Sequence, residues 1–217
     1  MTDLDPERRL ALAYVPAARR PAVAALWRLD AAFGSVLASG REPMISRIRL
    51  AWWREALERL DREPPPAEPV LQALARHVLR GGVSGAELAA MASGWERLLE
   101  PGPLGADALA AYAAERGGRL FALTARLLGG EEAPVSRGGE AWALADLARR
   151  SADADERTAA LTAARSAVGA GRWPRRLRPL GMLALLARRD ARRADRLERA
   201  GSLARMLRML AHRLTGF

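Results

Sequence analysis

The sequence predicts an all-α protein, and three observations carry that prediction. Apolar residues recur at three- and four-residue spacing, strand-like alternation is hard to find, and alanine-rich segments are separated by short Pro/Gly loops in a chain with two isoleucines. Pro21 fits the first turn of a helix that runs to about Ser39, with Gly40 as its stop. Ile45, Ile48, Trp52, Ala56 and Leu60 mark the apolar face of a second helix from about Glu42 to Arg62, ended by Pro64-Pro65-Pro66. Ser84-Gly-Ala-Glu87 is a capping box that opens a helix through Met91 and Trp95 to Leu99. A helix from about Ala106 to Leu128 carries Gly117-Gly118 in its middle and stops at Gly129-Gly130. A polar loop at Glu131 to Gly138 precedes helices at Glu140 to Arg150, Asp155 to Val168, and Leu180 nearly to the C-terminus.

The 217 residues make one domain and carry a net charge of +10, and every basic side chain other than the two histidines is an arginine. Lysine, asparagine and cysteine do not occur, which excludes a disulfide framework, a thiolate nucleophile and a cysteine metal site. Two widely separated histidines, His77 and His212, argue against a histidine-based zinc site. Arginine replacing lysine throughout has the look of a GC-rich coding bias, so the distribution of charge says more than its total. Met1 to Glu140 holds 18 arginines and 18 acids, and Ala141 to Ala170 holds four of each. The surplus belongs to residues 171–217, with 13 arginines and three acids, a basic segment on a neutral body. The acidic N-terminus lacks the apolar core of a secretory signal, and the longest uninterrupted apolar stretch, around Leu180 to Ala187, is short of a membrane span. The expectation is a cytoplasmic protein, free or peripheral on the inner face of the cytoplasmic membrane.

The most specific string is Arg47-Ile-Arg-Leu-Ala-Trp-Trp-Arg-Glu-Ala-Leu57. Two adjacent tryptophans point in different directions on a helix, so one faces the core and the other a neighbouring helix or cleft. This string, together with Leu10-Ala-Leu-Ala-Tyr-Val-Pro16, Arg20 to Ser35 and Tyr112 to Gly129, resembles the squalene/phytoene synthase family. The resemblance continues more weakly to Arg149. It implies an isoprenoid synthase-like helical bundle around an apolar cavity for prenyl chains. In active members of that family, two aspartate-rich motifs on facing helices hold Mg²⁺ ions that bind the substrate diphosphates. Carboxylates are needed there because ionising an allylic diphosphate leaves a highly charged group that Mg²⁺ must stabilise.

Against the family's Arg-x-x-Asp-Asp-x-x-Asp, alignment on Arg28 puts Ala31, Ala32 and Ser35 at the aspartate positions, with Asp30 one residue out of register. One residue turns a helix side chain by about 100°, which makes Asp30 a poor substitute and a solvated or salt-bridged carboxylate the better reading. Against Gly-x-x-x-Gln-x-x-Asn-x-x-Arg-Asp-x-x-x-Asp, Gly139, Leu147 and Arg149 keep their places and Asp146 replaces the asparagine. Ala143, Arg150 and Ala154 stand where the glutamine and the two aspartates belong, and Asp153 and Asp155 flank the last position. In the third segment Tyr112 and Gly118 match, whereas Arg116 replaces an apolar residue and Phe121 a glycine, implying a narrowed or closed cavity. The pattern is closer to a divergent branch of the family, which includes a mitochondrial complex I assembly factor that also lacks intact aspartate motifs.

These substitutions favour a non-catalytic lipid- or isoprenoid-binding or assembly module at a membrane surface, with no metal. The alternative is an active Mg²⁺-dependent prenyl transferase using the displaced acids Asp30, Asp146 and Asp153. A prenyl diphosphate or lipid, an anionic membrane surface and a protein partner are the expected partners. For a residual ligand site, Arg28, Arg49, Arg54, Arg116 and Arg149 are anion contacts, and Trp53 and Tyr112 line the cleft. In the basic segment, Leu203, Met206, Leu207, Leu210 and Leu214 form a stripe beside Arg205, Arg208 and Arg213. That helix reads equally as a membrane-surface helix or as a bundle helix with a solvated arginine face. Nucleic acid is the weakest reading of the segment, since Gly171-Arg-Trp-Pro-Arg-Arg-Leu-Arg178 has one aromatic residue and no recognised DNA-binding motif.

Overall fold

A computed structural model describes residues 4–40, 42–131, 133–167, 171–193 and 196–217, and among these there is no strand. The chain begins with α1 (Pro6–Ala13), and Pro6 sits where its missing N–H costs nothing. Asp5 caps this helix by accepting from the Glu7 and Arg8 amides at 3.0 and 2.9 Å. The long α2 (Arg20–Ser39) and α3 (Pro43–Arg59) follow, separated by Gly40. Glu68 then caps α4 (Pro69–His77) through the Leu71 amide at 2.7 Å. Neither α1 nor α4 was anticipated, each being only eight or nine residues long.

The capping box at Ser84 and Glu87 opens α5 (Gly85–Ala89), and α6 (Ala92–Glu96) continues its path with a tight turn at its end. The segment expected as one helix from Ala106 is α7 (Ala106–Tyr112), a π-type turn over Ala113–Gly118, and α8 (Arg119–Leu127). Next comes α9 (Ala133–Arg150), which starts well before the expected Glu140 and absorbs most of the anticipated polar loop. It is followed by α10 (Ala154–Ala167), whose expected end at Val168 lies outside the described residues. The anticipated single C-terminal helix is two, α11 (Arg178–Arg192) and α12 (Leu203–Thr215).

Helix α2 runs through the bundle, burying Val23, Leu26, Trp27, Leu29, Phe33 and Val36, side chains each worth about 1.5–3 kcal/mol of burial. The Trp27 indole donates to Thr124 Oγ1 on α8 at 3.0 Å, which satisfies a buried polar group and fixes the pairing of the two helices. By length and mean hydropathy of 1.2, α2 could also cross a membrane, and 56% of its apolar window is buried in the bundle. This corrects the expectation that no stretch reaches spanning length. Helix α9 packs against the π-type turn, α8, α10 and α11, while α12 packs on α11 and touches α1.

Residues 171–217 are built into the bundle. Arg178 donates to the Arg213 and Leu214 carbonyls at 2.9 and 2.7 Å, satisfying orphan acceptors at the C-terminal end of α12. Arg205 is buried between Glu7 and Asp190, at 2.6 Å from each.

Two helices turn an apolar face outward. On α3 the core face is Leu50, Trp53, Ala56 and Leu57, so Ile45, Ile48 and Trp52 of the expected core stripe are exposed together with Met44. On α12 the inward residues are Arg205, Met209 and His212, and Leu203, Leu207 and Leu214 face outward. The α3 stripe is thus split, with Ala56 and Leu60 buried, and the α12 stripe, read equally as a membrane face or a bundle face, turns Leu203, Leu207 and Leu214 outward while Met206 packs on the core.

Candidate functional site

At the centre of the bundle lies a buried guanidinium held by two carboxylates from facing helices. Asp30 on α2 has no exposed surface, and its Oδ1 accepts from the Trp95 indole at 3.0 Å and from Arg116 Nε at 3.1 Å. Its Oδ2 accepts from Arg8 Nη1 at 2.9 Å and Arg116 Nη2 at 3.3 Å. The same Arg116 Nη2 lies 2.7 Å from Asp146 Oδ2 on α9, so one nitrogen stands between the two acids. Arg116 Nη1 donates to the Tyr112 hydroxyl, which in turn donates to the Ala143 carbonyl at 3.4 Å. Aromatic faces close the remaining sides, with the guanidinium 4.0 Å from the Trp95 ring centre and 4.9 Å from that of Trp142.

Local sequence explains how an arginine reaches this position. The π-type turn widens the helix at Ala113–Gly118 and carries Arg116 inward, where only 1% of it is exposed. Gly117 and Gly139 then permit the close approach of this turn to α9. A Cβ on Gly117 would stand 2.0 Å from the Gly139 carbonyl oxygen, and one on Gly139 would stand 2.1 Å from that of Gly117. Gly94 and Gly34 make room on the other side for Arg116 and for the Trp95 ring.

Electrostatics follow from this packing. Burial pushes the Asp30 carboxyl up, but Arg116 and Arg8 outweigh it and hold the group below the usual carboxylate range. Asp146 is likewise pushed up by burial and pulled down more strongly by Arg116, Arg150 and Arg8, to about 2. Burial, supported by the two carboxylates and opposed by Arg116, pushes the Tyr112 hydroxyl up to about 12, so it stays protonated. Buried charge is tolerated here because each ion is paired and hydrogen-bonded.

Of the residues named from the sequence, Asp30, Asp146, Tyr112 and Arg116 meet in this cluster. Asp30 is salt-bridged and wholly desolvated, whereas Asp153 lies apart on the surface, accepting from the Glu156 amide at 2.8 Å as the cap of α10. Arg149 belongs to a second network, a two-pronged pair with Asp190 at 2.8 and 2.7 Å beside Arg205. Arg54 pairs with Glu96 at 2.6 Å, and exposed Arg49 donates to Ser39 Oγ at 3.0 Å. Arg28 is half-buried and has no ion pair among the described residues. Trp53 packs edge-on to Phe33 and Trp52, with ring centres 6.0 and 5.3 Å away. Phe121 is fully buried and stacks on Trp142. The centre is therefore filled by Arg116 with Trp95 and Trp142, and Phe121, expected to narrow the cavity, is stacked on Trp142.

Arg8, Trp95 and Trp142 complete the cluster from three distant parts of the chain and were missed by sequence reasoning. A periodic pattern marks a buried face but does not say which distant faces meet.

The fold and the site together define an all-α bundle with a pair of opposed carboxylates at its centre. A squalene/phytoene synthase family model matches residues 2–161, so the chain belongs to that family. No curated protein and no solved structure matches it. The family implies Mg²⁺ between the acidic motifs, and the residues present do not fit it. Asp30 spends both oxygens on arginines and tryptophan, and Asp146 pairs with Arg116. Arg150, at an expected ligand position, pairs with Asp146 at 3.1 Å. Among the described residues no group of three or more His, Cys, Asp or Glu is placed to hold a metal.

Proposed function

We propose that this chain is a non-catalytic member of the squalene/phytoene synthase family, a binding or assembly module whose central site is converted into a structural ion-pair cluster. The observation that carries this reading is Arg116 Nη2 between Asp30 and Asp146. A guanidinium supplies the two acids with a permanent positive charge but has no open coordination position for a diphosphate leaving group. Purified protein incubated with farnesyl or geranylgeranyl diphosphate and Mg²⁺ is expected to release no pyrophosphate, and sustained release would overturn the reading. On the rival reading, in which the displaced acids hold Mg²⁺, Asp30→Ala would abolish such turnover.

The membrane surface is the preferred place of action. Leu203, Leu207 and Leu214 stand exposed on α12, with Phe217 just beyond it, in a segment rich in arginine. Such a combination suits an anionic bilayer, where apolar insertion and basic residues at about 1 kcal/mol each add together. Co-sedimentation with phosphatidylglycerol vesicles should fall markedly in Leu207→Glu/Leu214→Glu, with no loss of helix content by circular dichroism. Equal sedimentation of variant and parent would remove α12 from the membrane contact.

A further inference from the structure

A cavity of about 340 Å³ opens between α9, α11, α12 and the 171–177 loop. It is separate from the Arg116 cluster, and most of its wall lies beyond the residues that the family model matches. Its apolar wall includes Val135, Ala141, Leu177, Ala184 and Leu185. Arg172, Arg176 and Arg188 contribute positive charge against the single acid Glu131 among the described lining residues. Arg172 is engaged with the Thr215 carbonyl at 3.1 Å, whereas Arg176 and Arg188 make no ion pair among the described residues.

His212 belongs to this wall and is only 2% exposed. Neither of its ring nitrogens has a hydrogen-bond partner, although the Phe217 main chain approaches the ring. Burial, with Arg178 nearby and against the raising effect of the Phe217 main chain, pushes its pKa down and so favours the neutral ring. Buried polar groups without partners are rare and call for an explanation. The side chain is also seated with care. A Cβ on Gly181 would lie 2.2 Å from His212 Nε2 and 2.7 Å from Trp173 Cγ, and Trp173 packs edge-on to the imidazole at 6.5 Å.

We infer that this cavity is a binding site for a single-chain amphiphile with an anionic head. The chain lies against Ala141, Ala184 and Leu185, and Arg176 and Arg188 hold the head. A volume near the low end of ligand pockets, about 300–1,000 Å³, suits one chain rather than two. Charge-assisted hydrogen bonds from two arginines would supply the selectivity for an anion.

The probe is decyl phosphate below its micelle concentration, titrated calorimetrically into the full chain, with decanol and inorganic phosphate as controls. Saturable binding at one site per chain is expected, with each control weaker by about tenfold or more because it lacks one half of the recognition. Ala184→Phe fills the cavity and should abolish binding. Arg176→Gln/Arg188→Gln changes partly exposed groups that carry no ion pair, and should weaken binding about tenfold without moving the unfolding midpoint. Phosphatidylglycerol vesicles that displace the probe would support a bilayer lipid as the source of the chain. Retention of the probe against vesicles would support a soluble amphiphile, and either result supports the site. No saturable binding of decyl phosphate, equal binding of decanol, or binding unaffected by both variants would overturn the inference. None of these outcomes depends on whether Arg116 silences the central site, so the two proposals fail separately.

Discussion

Asp30 stands one residue out of the family's aspartate register, yet among the described residues no carboxylate is more deeply buried. A lone acid in a helix core is costly, and Arg8, Arg116 and Trp95 offset that cost with four hydrogen bonds. Removing one partner leaves the others charged and buried. Asp30→Ala or Arg116→Leu should therefore destabilise the fold by about 3–5 kcal/mol in urea unfolding, and a loss below about 1 kcal/mol would mean the cluster is solvated. Asp146 gives the cluster a pH signature. Folding depresses its pKa from 3.8 to about 2, so its contribution is complete above 3.8 and is lost as pH falls through 2. The amount is about 2 kcal/mol, and stability measured between pH 5 and pH 2 should fall less steeply in Asp146→Asn than in the parent. Tyr112, Arg116 and Asp146 were legible through their places in family motifs, and Asp30 only as a displaced acid one residue out of register. Their mutual pairing was not, because Arg116 looks like an anion contact for a ligand until the π-type turn aims it at the chain's own acids.

At the scale of elements, the turn over Ala113–Gly118 and its contact with α9 decide what the centre of the bundle holds. Gly117 and Gly139 are back to back with no room for a methyl group on either. Gly117→Ala should cost about 1–3 kcal/mol by overpacking, and a neutral result by thermal unfolding would show that the two helices separate easily. The doublet Gly117-Gly118 was visible in the sequence as an interruption, but a π-type turn has no sequence signature that distinguishes it from a continuous helix. Helices α1 and α4 did have a signal, an acid followed by proline at Asp5-Pro6 and Glu68-Pro69, which marks a cap and a first turn. The outward faces of α3 and α12 show the opposite failure. Periodicity finds an apolar stripe but cannot tell whether the molecule's own core or an external surface covers it, and on α12 Arg205, read as flanking the stripe, is the side chain that faces inward.

Across the whole molecule, the uneven charge seen in the sequence becomes partly internal structure. Arg178 closes the end of α12, Arg205 bridges Glu7 and Asp190, and Arg189 and Arg208 share Glu198. Of the arginines left over, Arg172, Arg176 and Arg188 line the cavity between α9, α11 and α12. The all-α class and the order of most helices follow from periodicity and caps, whereas the contents of the centre depend on contacts between residues 22 to 86 positions apart in sequence, Asp30 with Arg8, Arg116 with Asp146 and Asp30 with Arg116. The central claim is that a guanidinium takes the place a metal cluster would need. Diffraction from crystals grown at high Mg²⁺ with a prenyl diphosphate analogue tests it most directly. Density for the Arg116 side chain between Asp30 and Asp146, with no metal there, is the predicted result, and a metal-bound diphosphate between α2 and α9 with Arg116 displaced would contradict it.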